Sequence, residues 1–234
     1  MTVAARRTRT RTRSRTARLA GIPGPVEAGT SVTATFLREF VRSPFTVAAV
    51  APSGESLAEA ITAPVPLTGS PTVVELGAGT GAFTAAVQRR LAGRGRHLAV
   101  EINPVFADPL ARRFPRVEVA VADAARLRET TRERGLDRAD VIVSGLPWAA
   151  FAADRQDELL GAAGDVLAPD GVFATFAYTA TLWAPPAVRL RRALRSRFEE
   201  VVAGRTVWAN LPPALVYYCR RPRAASRTDG GTPG

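Results

Sequence analysis

Three alternating glycines, Gly77, Gly79 and Gly81, end the stretch Val73-Val74-Glu75-Leu76-Gly77-Ala78-Gly79-Thr80-Gly81. Glycine suits a loop whose backbone must approach a ligand, because a Cβ would block the approach. Such a turn alone also closes ordinary strand–helix units. The spacing differs from Gly-x-Gly-x-x-Gly, which seats a pyrophosphate on a helix N-terminus. Glu75, two residues before the first glycine, is an awkward neighbour for a phosphate and suits a cationic ligand. Glu101 comes 20 residues after Gly81, at the end of a second apolar run. An acid at that place and distance accepts hydrogen bonds from both hydroxyls of a ribose. Asp123, just after a third run, is placed to reach an adenine amino group, with the Ala124 amide near the ring.

The elements that must position these residues follow from hydrophobic periodicity. Short apolar, β-branched runs predict strands at 72–76, 98–102, 117–121, 141–144 and 172–177. Helices are expected at 83–91, around 105–114 and at 155–167, with Pro169-Asp170-Gly171 as a turn. Near-continuous apolar strands separated by helices indicate a parallel sheet buried on both faces. A basic helix at 187–198 carries an apolar stripe of Leu190, Leu194 and Phe198. Two strands without an intervening helix, 201–208 and 214–219, then predict an antiparallel C-terminal hairpin at the sheet edge. Upstream, Val32, Phe36, Leu37, Phe40 and Val41 have helical spacing. Ser53 is a candidate N-cap for a helix holding Leu57, Ala58 and Ile61. The predicted class is α/β, Rossmann-like and mostly parallel.

The 234 residues allow one such domain with extensions, expected as a basic arm and linker at 1–30, a domain at 31–221 and a tail at 222–234. The net charge of +11 is concentrated at the ends. Residues 1–18 hold seven arginines and no acid; residues 19–219 hold 21 arginines against 20 acids. The arm therefore reads either as electrostatic docking to anionic lipid or nucleic acid, or as a solvated tail. A single cysteine, Cys219, excludes an intramolecular disulfide and a cysteine-based metal site. No metal is expected. With no apolar run of about 18 residues and no signal-like h-region, a cytoplasmic protein is expected.

A cation, a ribose and an adenine together describe S-adenosylmethionine (SAM), whose methionine amino group supplies the charge. At this point the chain, over about residues 32–220, resembles the class I SAM-dependent methyltransferases. Within them it is most similar to bacterial phospholipid N-methyltransferases, which themselves resemble ribosomal RNA adenine dimethylases. Four stretches carry the match. They are Phe36-Leu37-Arg38-Glu39-Phe40 running on to Ala49-Val50-Ala51-Pro52-Ser53, the Val74–Gly81 loop, Ser144-Gly145-Leu146-Pro147, and Val207-Trp208-Ala209-Asn210-Leu211-Pro212-Pro213-Ala214. The resemblance implies that Pro52 and Ser53 close over the methionine end of SAM. The implied cofactor set is completed by Glu75, Gly77, Ala78, Gly79, Thr80, Gly81, Glu101, Ile102, Asp123, Ala124 and Ser144.

Ser144-Gly145-Leu146-Pro147-Trp148 lies where amine-methylating members carry Asn-Pro-Pro-Tyr or Asn-Leu-Pro-Tyr type motifs. An amine that attacks a methyl group needs a free lone pair, so acceptors must hold its hydrogens. Backbone carbonyls at Gly145 and Leu146, pinned by Pro147, suit that task. Trp148 reads either as an aromatic face for the acceptor's growing positive charge or as core packing. Tyr178 either lines the acceptor pocket or packs. Gly145 stands where adenine dimethylases carry Asn, which argues against a flipped base. His97 precedes the second predicted strand and receives no role. The resemblance implies as acceptor an aminophospholipid headgroup such as phosphatidylethanolamine, at an anionic membrane surface. A small-molecule acceptor and, less favoured, RNA are the alternatives. The five arginines between 189 and 197 either meet bilayer phosphates or form a solvated face.

Overall fold

The computed structural model describes residues 54–223. The expected basic arm, the helix over 32–41, Pro52, Ser53 and residues 224–234 lie outside the described residues. The first described helix, α1 (Gly54–Ile61), buries Leu57, Ala58 and Ile61, the three residues whose spacing predicted it. Then β1 (Thr72–Leu76), α2 (Ala82–Leu91), β2 (Arg96–Glu101), α3 (Pro104–Arg113) and β3 (Glu118–Val121) alternate. They are followed by α4 (Leu127–Arg132), β4 (Ala139–Ser144), α5 (Ala153–Val166) and β5 (Leu167–Tyr178). The described residues close with α6 (Pro185–Arg197), β6 (Phe198–Val207) and β7 (Ala214–Pro222).

One seven-stranded sheet results, in the order β3-β2-β1-β4-β5-β7-β6. The first five strands pair in parallel, whereas β7 runs antiparallel to both β5 and β6. The expected hairpin is present, with β7 as its inner strand. The crossover through α6 returns the chain parallel to β5 but one position out, and β7 fills the slot between them.

Strand alternation divides the core. Val141 and Val143 of β4 pack with Leu57, Ile61, Val87 and Leu91, so α1 and α2 cover that face. Ile142 faces the other way, onto Leu159 and Leu160 of α5 and Leu190 and Leu194 of α6. Burial on both sides explains why these strands read as continuous apolar runs rather than alternating ones.

The expected turn at Pro169–Gly171 differs in form. Leu167 already pairs with Ala139, and Val172 pairs with Val141. Between those pairs β4 advances two residues while β5 advances five, so Pro169-Asp170-Gly171 forms a bulge within one longer strand. Turn residues were legible; the buried Leu167 that resumes pairing before them was not.

At the centre of the α5–α6 face, Phe173 is fully buried. It stacks on Phe198 at 5.6 Å between centroids and meets the Trp148 ring edge-on at 6.1 Å. Phe173→Ala should destabilise the fold by about 3–5 kcal/mol in denaturant unfolding. A loss below about 1 kcal/mol would mean that this face is not packed as described.

Candidate active site

In the strand order, the chain leaves β1 toward β2 and β3 on one side and then returns to β4 on the other. Loops leaving β1 and β4 therefore diverge, and in open α/β sheets such a reversal opens a crevice at the carboxyl ends of the strands. The glycine loop and the Ser144–Trp148 segment both lie there.

The loop is held by its own backbone. Gly77 N donates to Val100 O at 2.8 Å, and Gly81 N donates to Ala78 O at 2.9 Å. Gly77, Gly79 and Gly81 all have positive φ, of 72°, 52° and 88°. Their surroundings differ. A Cβ on Gly77 would stand 2.9 Å from Leu146 Cδ2, and one on Gly81 would stand 2.7 Å from Leu110 Cδ1. A Cβ on Gly79 would meet nothing within 4 Å, so that side of its backbone faces open space where a ligand can approach. Across the crevice, Gly145 N donates to Leu76 O at 2.8 Å, and a Cβ on Gly145 would meet Gly77 O at 2.9 Å. Ala78 is buried beneath the loop and Thr80 is exposed on it.

Glu101 is 6% exposed and ties the loop to β2. Its Oε2 accepts from Gly79 N and its Oε1 from Asn103 N, both at 2.9 Å. A carboxylate has about four acceptor positions, so each oxygen keeps one for a further donor. The neighbouring Ile102 is 57% exposed, an apolar surface beside it. Asp123 Oδ1 accepts from Ala125 N at 2.9 Å and caps the 3₁₀ turn Ala124–Arg126, in which Ala124 is buried. The same oxygen takes a charged hydrogen bond from Arg155. Burial works against the Arg155 charge, but Glu158 and Asp123 outweigh it and raise its pKa. Arg155 carried no sequence signal as a site residue, because only the fold brings α5 to the end of β3.

Burial changes the reading of Glu75, His97, Trp148 and Ser144. Glu75 is fully buried on the α2 side of the sheet, where its Oε2 accepts from Thr84 Oγ1 at 2.7 Å. His97 lies inside β2, with Nε2 3.2 Å from that same oxygen. Gln88 Nε2 donates to His97 Nδ1 at 3.0 Å. Glu75 thus braces the β1–α2 junction rather than projecting into the crevice, and His97 belongs to this buried group. Trp148 is 2% exposed and turns into the core, against Phe151 and Phe173. Its Nε1 donates to Ser144 Oγ at 3.2 Å, and Gln156 Nε2 donates to its carbonyl at 2.7 Å. It supports the segment from behind. The alternative of core packing is the one the structure adopts. Ser144, also fully buried, serves the same bracing and shows no face to the crevice.

Gly145, Leu146 and Pro147 remain half-exposed at the crevice. Leu146 O already accepts from Trp148 N at 2.9 Å and keeps its second lone pair. Beside them runs an aromatic row. Phe83 lies 3.4 Å from the Gly145 Cβ position and meets Phe176 edge-on at 5.9 Å, and Phe176 meets Tyr178 at 5.5 Å. Burial pushes the Tyr178 phenol above its ordinary pKa, so it is a neutral wall at physiological pH. Phe83 and Phe176 were missed, since only the sheet order places them next to Gly145. An open cleft of about 590 Å³ at the opposite, amino-terminal edge is lined by Pro66, Asp140, Asp170 and Arg220. It lies away from every strand-end group described above.

Comparison with known proteins identifies the family. A family described as "Methyltransferase domain" matches residues 73–171. The chain is also 34% identical over 190 residues to an ornithine lipid N-methyltransferase of Singulisphaera acidiphila, covering 79% of this chain and 94% of that protein. The chain belongs to the class I SAM-dependent methyltransferases. Solved methyltransferases share the fold. A 1,6-didemethyltoxoflavin-N1-methyltransferase from Burkholderia thailandensis, with S-adenosylhomocysteine bound, aligns with a TM-score of 0.59 at 20% identity, over 86% of this chain and 94% of that one. A TehB-like SAM-dependent methyltransferase from Corynebacterium glutamicum gives 0.52 at 14% identity, over 81% and 97%.

SAM is accordingly the methyl donor of this methyltransferase. The residues fit it: open space at Gly79, spare acceptor positions on Glu101 and the exposed Ile102 surround one crevice. Among the described residues no group of three His, Cys, Asp or Glu could hold a metal ion. Glu101→Ala should weaken SAM binding at least tenfold by calorimetry, the loss of about 1.4 kcal/mol or more expected when charge-assisted bonds go. Trp148→Phe should bind SAM nearly as wild type while melting lower. Equal losses of affinity would mean that the two sides of the crevice are misassigned.

Proposed function

We propose that this methyltransferase transfers the SAM methyl group to the amine of a membrane lipid, with phosphatidylethanolamine as the expected headgroup, at an anionic bilayer surface. The observation that carries this reading is the 34% identity with an ornithine lipid N-methyltransferase along 94% of that protein's length. Glu101 then accepts the ribose hydroxyls, Asp123 takes the adenine amino group, and the glycine loop passes under the cofactor. Asp123 is suited to this because both of its hydrogen bonds use Oδ1, leaving Oδ2 for a further donor. Bound there, SAM supplies a methyl group activated by its sulfonium.

Once the acceptor ammonium has lost a proton to water, its nitrogen attacks the methyl carbon, a C–N bond forms, and the electron pair of the C–S bond leaves with sulfur. The Gly145 and Leu146 carbonyls hold the amine hydrogens, which leaves the lone pair directed at the carbon. Phe83, Phe176 and Tyr178 exclude water on the side facing β5. The new ammonium sheds a proton to water before another round. Transfer from a sulfonium depends on positioning and desolvation, so the neutral Tyr178 phenol is not needed as a base.

Among the described residues no helix is long and apolar enough to cross a membrane, and peripheral attachment at the inner membrane face is the corresponding proposal. Incubation with methyl-labelled SAM and mixed micelles tests the reaction. Label should enter the lipid fraction when phosphatidylethanolamine or ornithine lipid is present, and not with phosphatidylcholine alone. Label confined to an RNA or soluble small-molecule fraction would overturn the proposal.

A further inference from the structure

On the β5–β7 side of the carboxyl edge of the sheet, three large apolar side chains stand in solvent. Trp183 is 81% exposed, Trp208 77% and Leu211 57%. Trp183 lies in the connection from β5 to α6; Trp208 and Leu211 lie in the turn between β6 and β7. Ala214 pairs with both Tyr178 and Val207, which brings the end of β5, the end of β6 and the start of β7 to one level. Because β5 is parallel to β1 and β4, that level is the carboxyl edge, where the site lies.

The two connections are joined into one rim. Thr179 donates to Pro213 O from both its backbone N, at 2.8 Å, and its Oγ1, at 3.1 Å. Asn210, 6% exposed, donates from Nδ2 to Pro212 O at 2.7 Å and fixes the turn that presents Leu211. Trp208 and Leu211 are thus displayed on a braced support.

Charge sets this part of the molecule apart. Residues 179–223 carry nine arginines and two acids, a net of +7. Residues 54–178 carry 13 arginines and 16 acids, a net of −3. The two acids of the basic part, Glu199 and Glu200, stand at the start of β6, away from the rim, and Glu200 pairs with Arg221 at 3.0 Å. Exposed Arg189 and Arg205 lie on the elements that flank the rim, on α6 and near the end of β6.

We propose that this rim is the bilayer-docking edge: Trp183, Trp208 and Leu211 enter the headgroup layer of an anionic phospholipid membrane while Arg189 and Arg205 meet its phosphates. Tryptophan suits that layer because its ring is apolar and its N–H is polar. Arginine adds attraction to an anionic leaflet, about fivefold in affinity for each residue near the surface. A second copy of the chain fits less well, since a symmetric pairing would bring two +7 surfaces together. Docked this way, the crevice opens toward the membrane, and a lipid amine reaches it without the lipid leaving the bilayer. This inference rests on the lipid-amine reading above.

The chain has three tryptophans, and Trp148 is buried, so intrinsic fluorescence reports on the rim. The full chain is titrated with vesicles of phosphatidylglycerol and phosphatidylcholine brominated on its acyl chains. Emission should shift to the blue and be quenched. The W183F/W208F variant, which keeps Trp148, should show neither change. Arg189→Gln and Arg205→Gln should each weaken vesicle binding about fivefold, with no loss of methyl transfer in mixed micelles. Vesicle binding without quenching in the wild-type chain overturns the docking edge. So does protection of both exposed tryptophans from iodide without lipid, which would place residues 1–53 or a second copy over the rim. Lipid labelling in micelles with unquenched tryptophans sinks this inference alone; quenching with no label in any lipid sinks the substrate reading instead.

Discussion

The site depends on how closely two backbones approach where β1 and β4 end. Gly145 N donates to Leu76 O at 2.8 Å, and a Cβ on Gly145 would stand 2.9 Å from Gly77 O. Either loop could carry a side chain at this crossing only if the other withdrew. The approach joins the glycine loop to the Gly145–Pro147 segment at the base of the crevice. It also gives Gly145 a steric reason. The sequence presents this residue as a departure from the Asn of adenine dimethylases and hence as a substrate signal. With Phe83 3.4 Å from the same Cβ position, any side chain there meets backbone on one side and an aromatic ring on the other.

Around that crossing, polar groups are divided between holding the loops and facing the crevice. Glu101 does both, since its two oxygens take the Gly79 and Asn103 amides and keep further acceptor positions. Ser144 with Trp148, and Glu75 with Thr84 and His97, act from inside the core. A site held from beneath in this way keeps its geometry without relying on the ligand. The net-acidic residues 54–178 and the net-basic residues 179–223, which form α6, β6 and β7, then occupy different parts of the fold.

Much of this was legible in the sequence because the signals are local. β-branched apolar runs gave the strands, glycine spacing gave the loop, and the missing helix between the last two strands gave the antiparallel pair. What was not legible depends on which face of a strand a residue occupies and on what the fold brings next to it. Glu75 and Trp148 have the residue types of ligand contacts, yet both turn inward. Arg155 reaches Asp123 from a helix more than thirty residues away. Phe83 and Phe176 become neighbours only when β4 and β5 are placed side by side. The bulge at Pro169–Gly171 was hidden because turn residues interrupt a strand as readily as they end one.

Amide hydrogen exchange with and without S-adenosylhomocysteine tests the central proposal, that the cofactor lies in the crevice above the Gly77 and Gly145 loops. Exchange should slow at Gly77–Gly81, at Glu101–Asn103 and at Gly145–Leu146, and stay unchanged around the cleft at the other edge. Protection centred on Asp140, Asp170 and Arg220, with the glycine loop unaffected, would contradict the account.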